Sequence, residues 1–141
     1  MIVIIGILVS LVFSLLAGIH IYWGLGGKWG AEASVPVTLS NEKVLNPKSL
    51  DCFIVASGLL AFSGLVLIKA GIISMALPDW LTTYGLWVVI LLFLVRAIGD
   101  FRYVGFFKKI KSTRFGQLDT KYYSPMCLTI SLLLMMLELI P

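Results

Sequence analysis

The chain divides into four long apolar blocks, separated by segments that carry nearly all of its charge. The first block, from Ile2 to about Trp23, has no charged residue and reaches the length of about 20 residues that a helix needs to cross a bilayer. The other three predicted spans cover about 51–70, 80–99 and 122–141. With 60% hydrophobic and only 13% charged residues, the chain is far more apolar than a soluble domain. We therefore predict an all-α membrane protein, a single domain over residues 1–141 that forms a four-transmembrane-helix bundle.

Basic residues predict how the spans are oriented. Four spans place the first and third loops on one side of the membrane, and both termini with the middle loop on the other. The first and third loops hold nine Lys or Arg residues, whereas the opposite side holds only Lys69. The positive-inside rule then predicts cytoplasmic first and third loops, and outward termini, in the plasma (inner) membrane. The net charge of +4 is explained by this topology and by contact with anionic lipid, so we expect no nucleic-acid partner.

The third loop has the pattern of a short amphipathic helix between spans three and four. Its apolar face would contain Tyr103, Phe106, Phe107 and Ile110, and its lysines Lys108, Lys109 and Lys111 lie off that face. This pattern is typical of a helix that lies in the membrane interface. We expect it to contact anionic headgroups of the inner leaflet, with the docking of a partner protein as the alternative.

Small residues predict where the spans touch, because helices in lipid associate through close backbone approach and interhelical hydrogen bonds. The faces expected to point inward are Gly6, Ser10, Ser14 and Gly18 in the first span, Ser57, Ala61 and Gly64 in the second, and Ser124, Cys127, Ser131 and Glu138 in the fourth. The first of these is the strongest, since it recurs every four residues. Near the outer ends, Lys69 and Glu138 either pair with each other or both reach outer water.

The remaining polar residues converge at the predicted cytoplasmic ends of the spans. The candidate binding residues are His20, Tyr22, Trp23, Asp51, Arg96, Asp100, Asp119 and Tyr123. Arg96 and Asp100 lie one helical turn apart, so an intrahelical ion pair is expected, while a buried pair of Arg96 with Asp119 would instead fix how the helices assemble.

His20 is the one candidate catalytic residue, because imidazole ordinarily exchanges protons near neutral pH and binds metals. The alternative is that a lone histidine at the bilayer surface hydrogen-bonds a neighbouring helix or a lipid headgroup. No metal site is expected, since Cys52 and Cys127 are isolated and predicted to be reduced packing residues. The chain also lacks a nucleotide fingerprint and a nucleophile-base-acid trio, so the sequence identifies no cofactor and favours a protein that is not an enzyme.

Three stretches of the chain resemble a known family. They are His20-Ile21-Tyr22-Trp23 followed by Gly26-Gly27, the string from Arg96 to Lys108 (RAIGDFRYVGFFK), and Thr113-Arg114-Phe115 with Asp119 leading to Tyr123-Ser124-Pro125. Over nearly its whole length the chain is similar to a bacterial membrane-protein family known as domain of unknown function 3995. The resemblance implies a small four-span protein and brings no established activity or ligand. Gly116, where the family pattern has Ala, is a small-for-small departure.

Three functions compete on this evidence. The first is a structural or accessory membrane protein that forms a homo-oligomer or joins a larger membrane complex. The second is a binder or enzyme for a lipid, quinone or other amphiphile, with a polar pocket built from His20, Arg96, Asp100 and Asp119. The third is a small transporter, which has the least support because the centres of the spans offer little polarity beyond Ser and Thr.

Overall fold

The computed structural model describes residues 1–140. The regular elements in this range are helices, joined by loops, and it contains no β-strand. Four helices are long and apolar enough to cross a membrane. They are α1 (Ile2–Gly24), α3 (Ser49–Lys69), α4 (Asp79–Ile98) and a fourth helix, Arg114–Leu139, made of α5 (Arg114–Leu118), a π-helical turn (Asp119–Tyr123) and α6 (Ser124–Leu139). A short helix, α2 (Ala31–Ser34), lies in the first loop. The all-α, four-span prediction is confirmed.

The fourth helix begins at Arg114, earlier than the predicted start at about Tyr122. Its first turns are polar, so hydropathy alone does not reveal them as part of the same helix. The local start signal is Thr113, whose hydroxyl accepts a hydrogen bond from the backbone N–H of Gly116 at 3.0 Å. The fourth helix therefore begins directly after the third loop, and its polar first turns lead into the apolar part of the bundle.

The amphipathic helix predicted within the third loop, residues 99–113, is not at the expected position. The segment from Tyr103 to Ile110 is irregular, and the short helix that precedes the fourth span is α5, which runs directly into it. Gly99 and Gly105 both have a left-handed backbone conformation, with φ of +88° at each, and this conformation interrupts a helix. The apolar residues of this loop are therefore spaced as in a helix, although the backbone does not form one.

The four spans form two helical hairpins. The first hairpin packs α1 against α3, the second packs α4 against α6, and contacts between the hairpins are fewer. Between them lies an aromatic centre, where the fully buried ring of Phe13 is 6.1 Å from the ring of Phe62 and 5.3 Å from that of Phe93. Side chains from three spans thus meet at one point, which holds the two hairpins together.

Three of the four small residues predicted to mark the contact face of α1, Gly6, Ser10 and Ser14, lie against α3. The fourth, Gly18, is exposed, and an added Cβ there would have nothing within 4 Å. The Ser10 hydroxyl donates to the Ser63 carbonyl at 3.1 Å, and the Ser63 hydroxyl donates back to the Ser10 carbonyl at 3.1 Å. Ser14 adds a hydroxyl contact of 3.2 Å with Ser63. At Gly6 the helices are so close that an added Cβ would lie 2.5 Å from the Cβ of Ala70. These small residues therefore form a contact between two helices of the same chain.

The inward face predicted for the second span is wrong. Ser57 and Ala61 are exposed, and the buried side of α3 carries Ala56 and Ser63 instead. Both sides of α3 contain small residues, so residue size alone does not choose between them. In the fourth span, by contrast, the residues Ser124, Cys127 and Ser131 are buried as predicted.

An ion pair joins the two hairpins at the end opposite the first and third loops. The Lys69 ammonium lies 2.9 Å from Oε2 of Glu138 and donates a hydrogen bond of 3.0 Å to Oε1. It also donates to the carbonyl of Thr82 at 3.3 Å. Of the two alternatives for these residues, pairing is the one that the structure contains.

Candidate functional site

The end of the bundle that carries the first and third loops, called the loop end below, contains a buried carboxylate with four hydrogen-bond donors. Oδ1 of Asp119 accepts from Nη2 of Arg96 at 2.8 Å. Oδ2 accepts from the Gly105 backbone N–H at 2.8 Å, the Lys108 ammonium at 2.9 Å and the Ser124 hydroxyl at 3.1 Å. We call these five residues the Asp119 clasp. It joins α4, the third loop and the fourth helix at one point.

Lys108 is the most unusual member of the clasp, because its side chain is 0% exposed. Besides Asp119, its ammonium donates to the Gly105 carbonyl at 2.8 Å and to the Thr120 hydroxyl at 2.6 Å. All three ammonium hydrogens therefore have acceptors, as a buried charge requires. The Arg96 side chain is 34% exposed, and its Nη1 is the one buried donor of the clasp without a partner among residues 1–140.

The π-helical turn brings Asp119 and Ser124 onto the same side of the fourth helix. In this turn the Ser124 N–H donates to the Asp119 carbonyl five residues earlier. Pro125 follows at once, and a proline has no N–H for the helical bond to the residue four positions before it. Both side chains of the pair are fully buried and meet at 3.1 Å. The wider turn thus places the hydroxyl on the carboxylate.

The loop that supplies Gly105 and Lys108 is closed by two glycines. Gly99 and Gly105 lie so close to each other that a Cβ on either would overlap the backbone at the other. The Phe106 N–H donates to the Ala97 carbonyl at 2.8 Å, which ties the returning chain to the last turn of α4. Only glycine fits these two positions, which explains their place in the RAIGDFRYVGFFK string.

Asp100 holds the inside of this loop and does not pair with Arg96. Its Oδ1 accepts hydrogen bonds from the backbone N–H groups of Arg102, Tyr103 and Val104, at 2.9, 2.7 and 2.9 Å. Burial raises the pKa of Asp100, but these N–H donors outweigh it and hold the pKa below the ordinary value. The predicted intrahelical pair is wrong because α4 ends at Ile98, before Asp100.

His20 lies apart from the clasp, on the wall of a cavity of about 370 Å³ between the first loop and the loop ends of α1 and α3. Nδ1 of His20 is 2.8 Å from the Leu16 carbonyl, which can only accept, so Nδ1 carries the proton and Nε2 stays free. The Trp23 ring meets the imidazole edge-on, with 5.1 Å between centroids. The orientation and tautomer of His20 are thereby fixed.

Asp51 lines the same cavity from the first turn of α3. Its Oδ2 accepts from the backbone N–H of Lys48 at 2.8 Å, which caps the start of the helix. Trp23 is also used structurally, since its Nε1 donates to the Trp29 carbonyl at 2.8 Å and fixes the start of the first loop. His20, Trp23 and Asp51 are thus the predicted residues that the fold brings to one cavity.

The two tyrosines occupy different places. Tyr22 is exposed, with its ring against Gly27. Tyr123 donates to the Ala33 carbonyl at 3.3 Å and its ring lies 6.0 Å from that of Phe115, so it anchors α2 to the fourth helix. The eight predicted residues therefore do not share one pocket. Arg96 and Asp119 form the clasp, Asp100 closes the third loop, and neither tyrosine lines the His20 cavity.

Sequence reasoning missed Lys108 as a site residue, because the pattern of an interfacial helix places Lys108 off the apolar face, with the lysines expected to contact lipid headgroups. The available signal was its place at the end of the RAIGDFRYVGFFK string, which begins at Arg96 and includes Asp100. Over residues 1–140 no group of three His, Cys, Asp or Glu side chains is arranged to hold a metal ion, and Cys52 and Cys127 are free and buried.

Four apolar spanning helices, fastened at one end by a buried ionic clasp, define a small multi-pass membrane protein. The chain belongs to the family described as Protein of unknown function (DUF3995), whose model matches residues 13–134. The resemblance found in the sequence is confirmed. No curated protein and no solved structure matches the chain significantly.

Proposed function

We propose that this is a structural or accessory membrane protein, which acts through a fixed shape and through association with a second copy or with a larger membrane complex. The observation that supports this most is the saturation of Asp119 by four donors inside the bundle. A catalytic acid or base needs a free position that faces the substrate. The most buried ionisable groups, Asp119 and Lys108, have no such free position, because they bind each other and the backbone.

A partner would bind a face other than Gly6, Ser10 and Ser14 of α1, because these residues already lie against α3. The exposed side of α3 offers small residues at Ser57 and Ala61, where a second helix can approach closely. The amphiphile binder with one pocket of His20, Arg96, Asp100 and Asp119 has less support, since these residues lie in three places. A transporter also has less support, because the Asp119 clasp lies at one end of the bundle and the Lys69–Glu138 pair at the other.

We further propose that the loop end faces the cytoplasm of a bacterial cell, with both termini outward, and that the third loop contacts anionic lipid of the inner membrane. The nine basic residues at this end support the orientation. Phe101 and Phe107 support the lipid contact: their side chains are 57% and 64% exposed, and their rings are 6.3 Å apart. Arg102 and Lys109 lie beside them in the chain, which combines apolar anchors with charge.

The orientation is tested by labelling single cysteines, introduced in a Cys-free background, with a membrane-impermeant maleimide on intact cells. Met75→Cys, in the outer loop, should react, whereas Lys28→Cys and Lys111→Cys should react only after the membrane is opened. The reverse pattern would show that the bundle is inverted.

The structural role is tested by native mass spectrometry of the 15.5 kDa chain released from lipid nanodiscs, with Arg96→Ala beside the wild type. A defined oligomer or complex, with the same bound small molecules in both proteins, supports the proposal. A small molecule held by the wild type and lost from Arg96→Ala would assign the clasp to ligand binding and contradict it.

A further inference from the structure

The His20 cavity is separate from the Asp119 clasp and has a composition of its own. It lies where the loop ends of α1 and α3 meet the first loop, so in the membrane it is at the level of the lipid headgroups. Its volume of about 370 Å³ falls at the small end of the range of about 300–1,000 Å³ that is usual for ligand pockets. A headgroup fits this space, and a whole phospholipid does not.

One part of the cavity wall is cationic. Lys43 and Lys48 line it and are exposed, and neither ammonium has a hydrogen bond or ion pair within the described chain. Ser49 lines it as well, in the first turn of α3, where backbone N–H groups have no acceptor within the helix and the helix dipole is positive. Two free ammonium groups beside such a helix start favour a phosphate.

Another part of the wall accepts hydrogen bonds. Nε2 of His20 is the free ring nitrogen, and Glu32 brings a carboxylate from α2 that has no partner within residues 1–140. With Asp51, the two acids balance the two lysines in formal charge. A simple anion gains nothing from that balance, whereas a phosphate ester that also carries a hydroxyl or ammonium group has a partner for each part.

Apart from Ser34 and Asn46, the rest of the lining is apolar or glycine. Trp23 and Cys52 are contributed by the spans, and Val55 lies one turn further into α3 toward the centre of the membrane. A ligand held by its phosphate at Lys43 and Lys48 would therefore have apolar surface on the membrane side. This arrangement favours a molecule that is polar at one end only.

We propose that the His20 cavity binds the headgroup of a phosphate ester that carries a hydroxyl or ammonium donor, with phosphatidylglycerol and phosphatidylethanolamine as the lipid form. Lys43 and Lys48 hold the phosphate, and Glu32 with Nε2 of His20 accepts from the donor group. The same chemistry occurs in a free glycerol phosphate, which is the soluble source. The inference is independent of the structural role proposed above, because Arg96 does not line this cavity.

The test is native mass spectrometry of the full chain in a neutral detergent, titrated separately with phosphatidylglycerol, phosphatidylethanolamine, phosphatidylcholine and glycerol 3-phosphate. The double variant Lys43→Gln/Lys48→Gln should bind the first two lipids about 30-fold more weakly, from roughly one kcal/mol per lysine near a headgroup. Its matched control is Lys28→Gln/Lys111→Gln, which removes the same charge from positions outside the cavity. Val55→Trp fills the cavity without changing charge and should also weaken binding.

Each outcome decides the proposal. Loss of one bound lipid in the double variant and in Val55→Trp, with the control unchanged and with phosphatidylcholine bound weakly, supports a lipid headgroup site. The same dependence for glycerol 3-phosphate, without lipid binding, supports the same site with a soluble ligand. Equal loss of binding in the control would show non-specific electrostatic attraction to the protein. Equal binding of phosphatidylcholine would show that no donor group is recognised. Either result would overturn the proposal.

Discussion

Replacement of Asp119 by Asn should destabilise the protein more than any other single change at the loop end. The side chain keeps its shape but loses its charge, so the ammonium of Lys108, which is 0% exposed, is left without an anion. Breaking a buried ion pair by removing one partner costs about 3–5 kcal/mol. Arg96 adds little to this cost, because its side chain is 34% exposed and solvent screens its half of the clasp.

Lys108 provides the matched comparison. Lys108→Met removes the buried cation but leaves Asp119 with Arg96, the Gly105 N–H and Ser124, so its cost should be about 1–3 kcal/mol. The double variant Lys108→Met/Asp119→Asn no longer buries an unpaired charge. It should therefore be more stable than Asp119→Asn alone, although it carries one more substitution.

The assay is the free energy of unfolding by SDS titration in mixed micelles, followed by circular dichroism, for the wild type and the three variants. The reasoning fails if Asp119→Asn stays within about 1 kcal/mol of the wild type, below the range for a broken buried pair. It also fails if the double variant is less stable than Asp119→Asn, because the unpaired ammonium would then not be the source of the loss.

Three further predictions use other contacts. Gly6→Ala should lower the unfolding free energy by about 1–3 kcal/mol because the added methyl overlaps α3, whereas Gly18→Ala, with open space at that Cβ, should be neutral or stabilising in the same SDS titration. Glu138→Gln should cost less than about 1 kcal/mol, since the pair is partly exposed, and cysteines placed at Lys69 and Glu138 should cross-link; no cross-link would place these helix ends apart. Asp100 has a lowered pKa, so the loop stabilisation it gives is complete above the ordinary carboxylate pKa of 3.8 and is lost as the pH falls through the lower folded value. Amide exchange of residues 102–104 should report that loss at low pH, and at pH 7 in Asp100→Ala; equal protection in this variant at pH 7 would contradict it.

The spans and most of the packing face of α1, though not its predicted member Gly18, could be predicted because they depend on properties visible locally in the sequence. Apolar length fixes the spans, and a serine or glycine every fourth residue marks a helix that can approach another closely. The pairing of Lys69 with Glu138 could be anticipated for a similar reason, since two ionisable groups at equal depth in a bundle have few other partners.

The third loop could not be predicted because periodicity takes no account of backbone conformation. Its apolar residues have helical spacing, but Gly99 and Gly105 adopt left-handed angles and Asp100 binds the N–H groups that a helix would use. The partner of Arg96 was open for the same reason. Whether it met Asp100 or Asp119 depended on where α4 ends, and helix ends are poorly marked in an apolar sequence.

The His20 cavity was beyond sequence reasoning in a different way. Its cationic wall comes from Lys43 and Lys48, in an extended segment that folds back over the spans with a single antiparallel bridge between Val37 and Lys43. Nothing in the sequence of this segment shows which helix ends it covers, so its position over His20 follows only from the folded loop.

The division of the spans into two hairpins has a consequence for how the protein is made. Each hairpin is a pair of consecutive spans, so each can form its internal contacts as soon as its own second helix has entered the membrane. The segment between the hairpins, residues 70–78, is short and carries no basic residue. Glu138, near the end of the fourth helix, can reach Lys69 only after all four spans have been made. Its ion pair with Lys69 is thus the last contact to form between the two hairpins, and a variant truncated before Glu138 would lack this link at the end opposite the loop end.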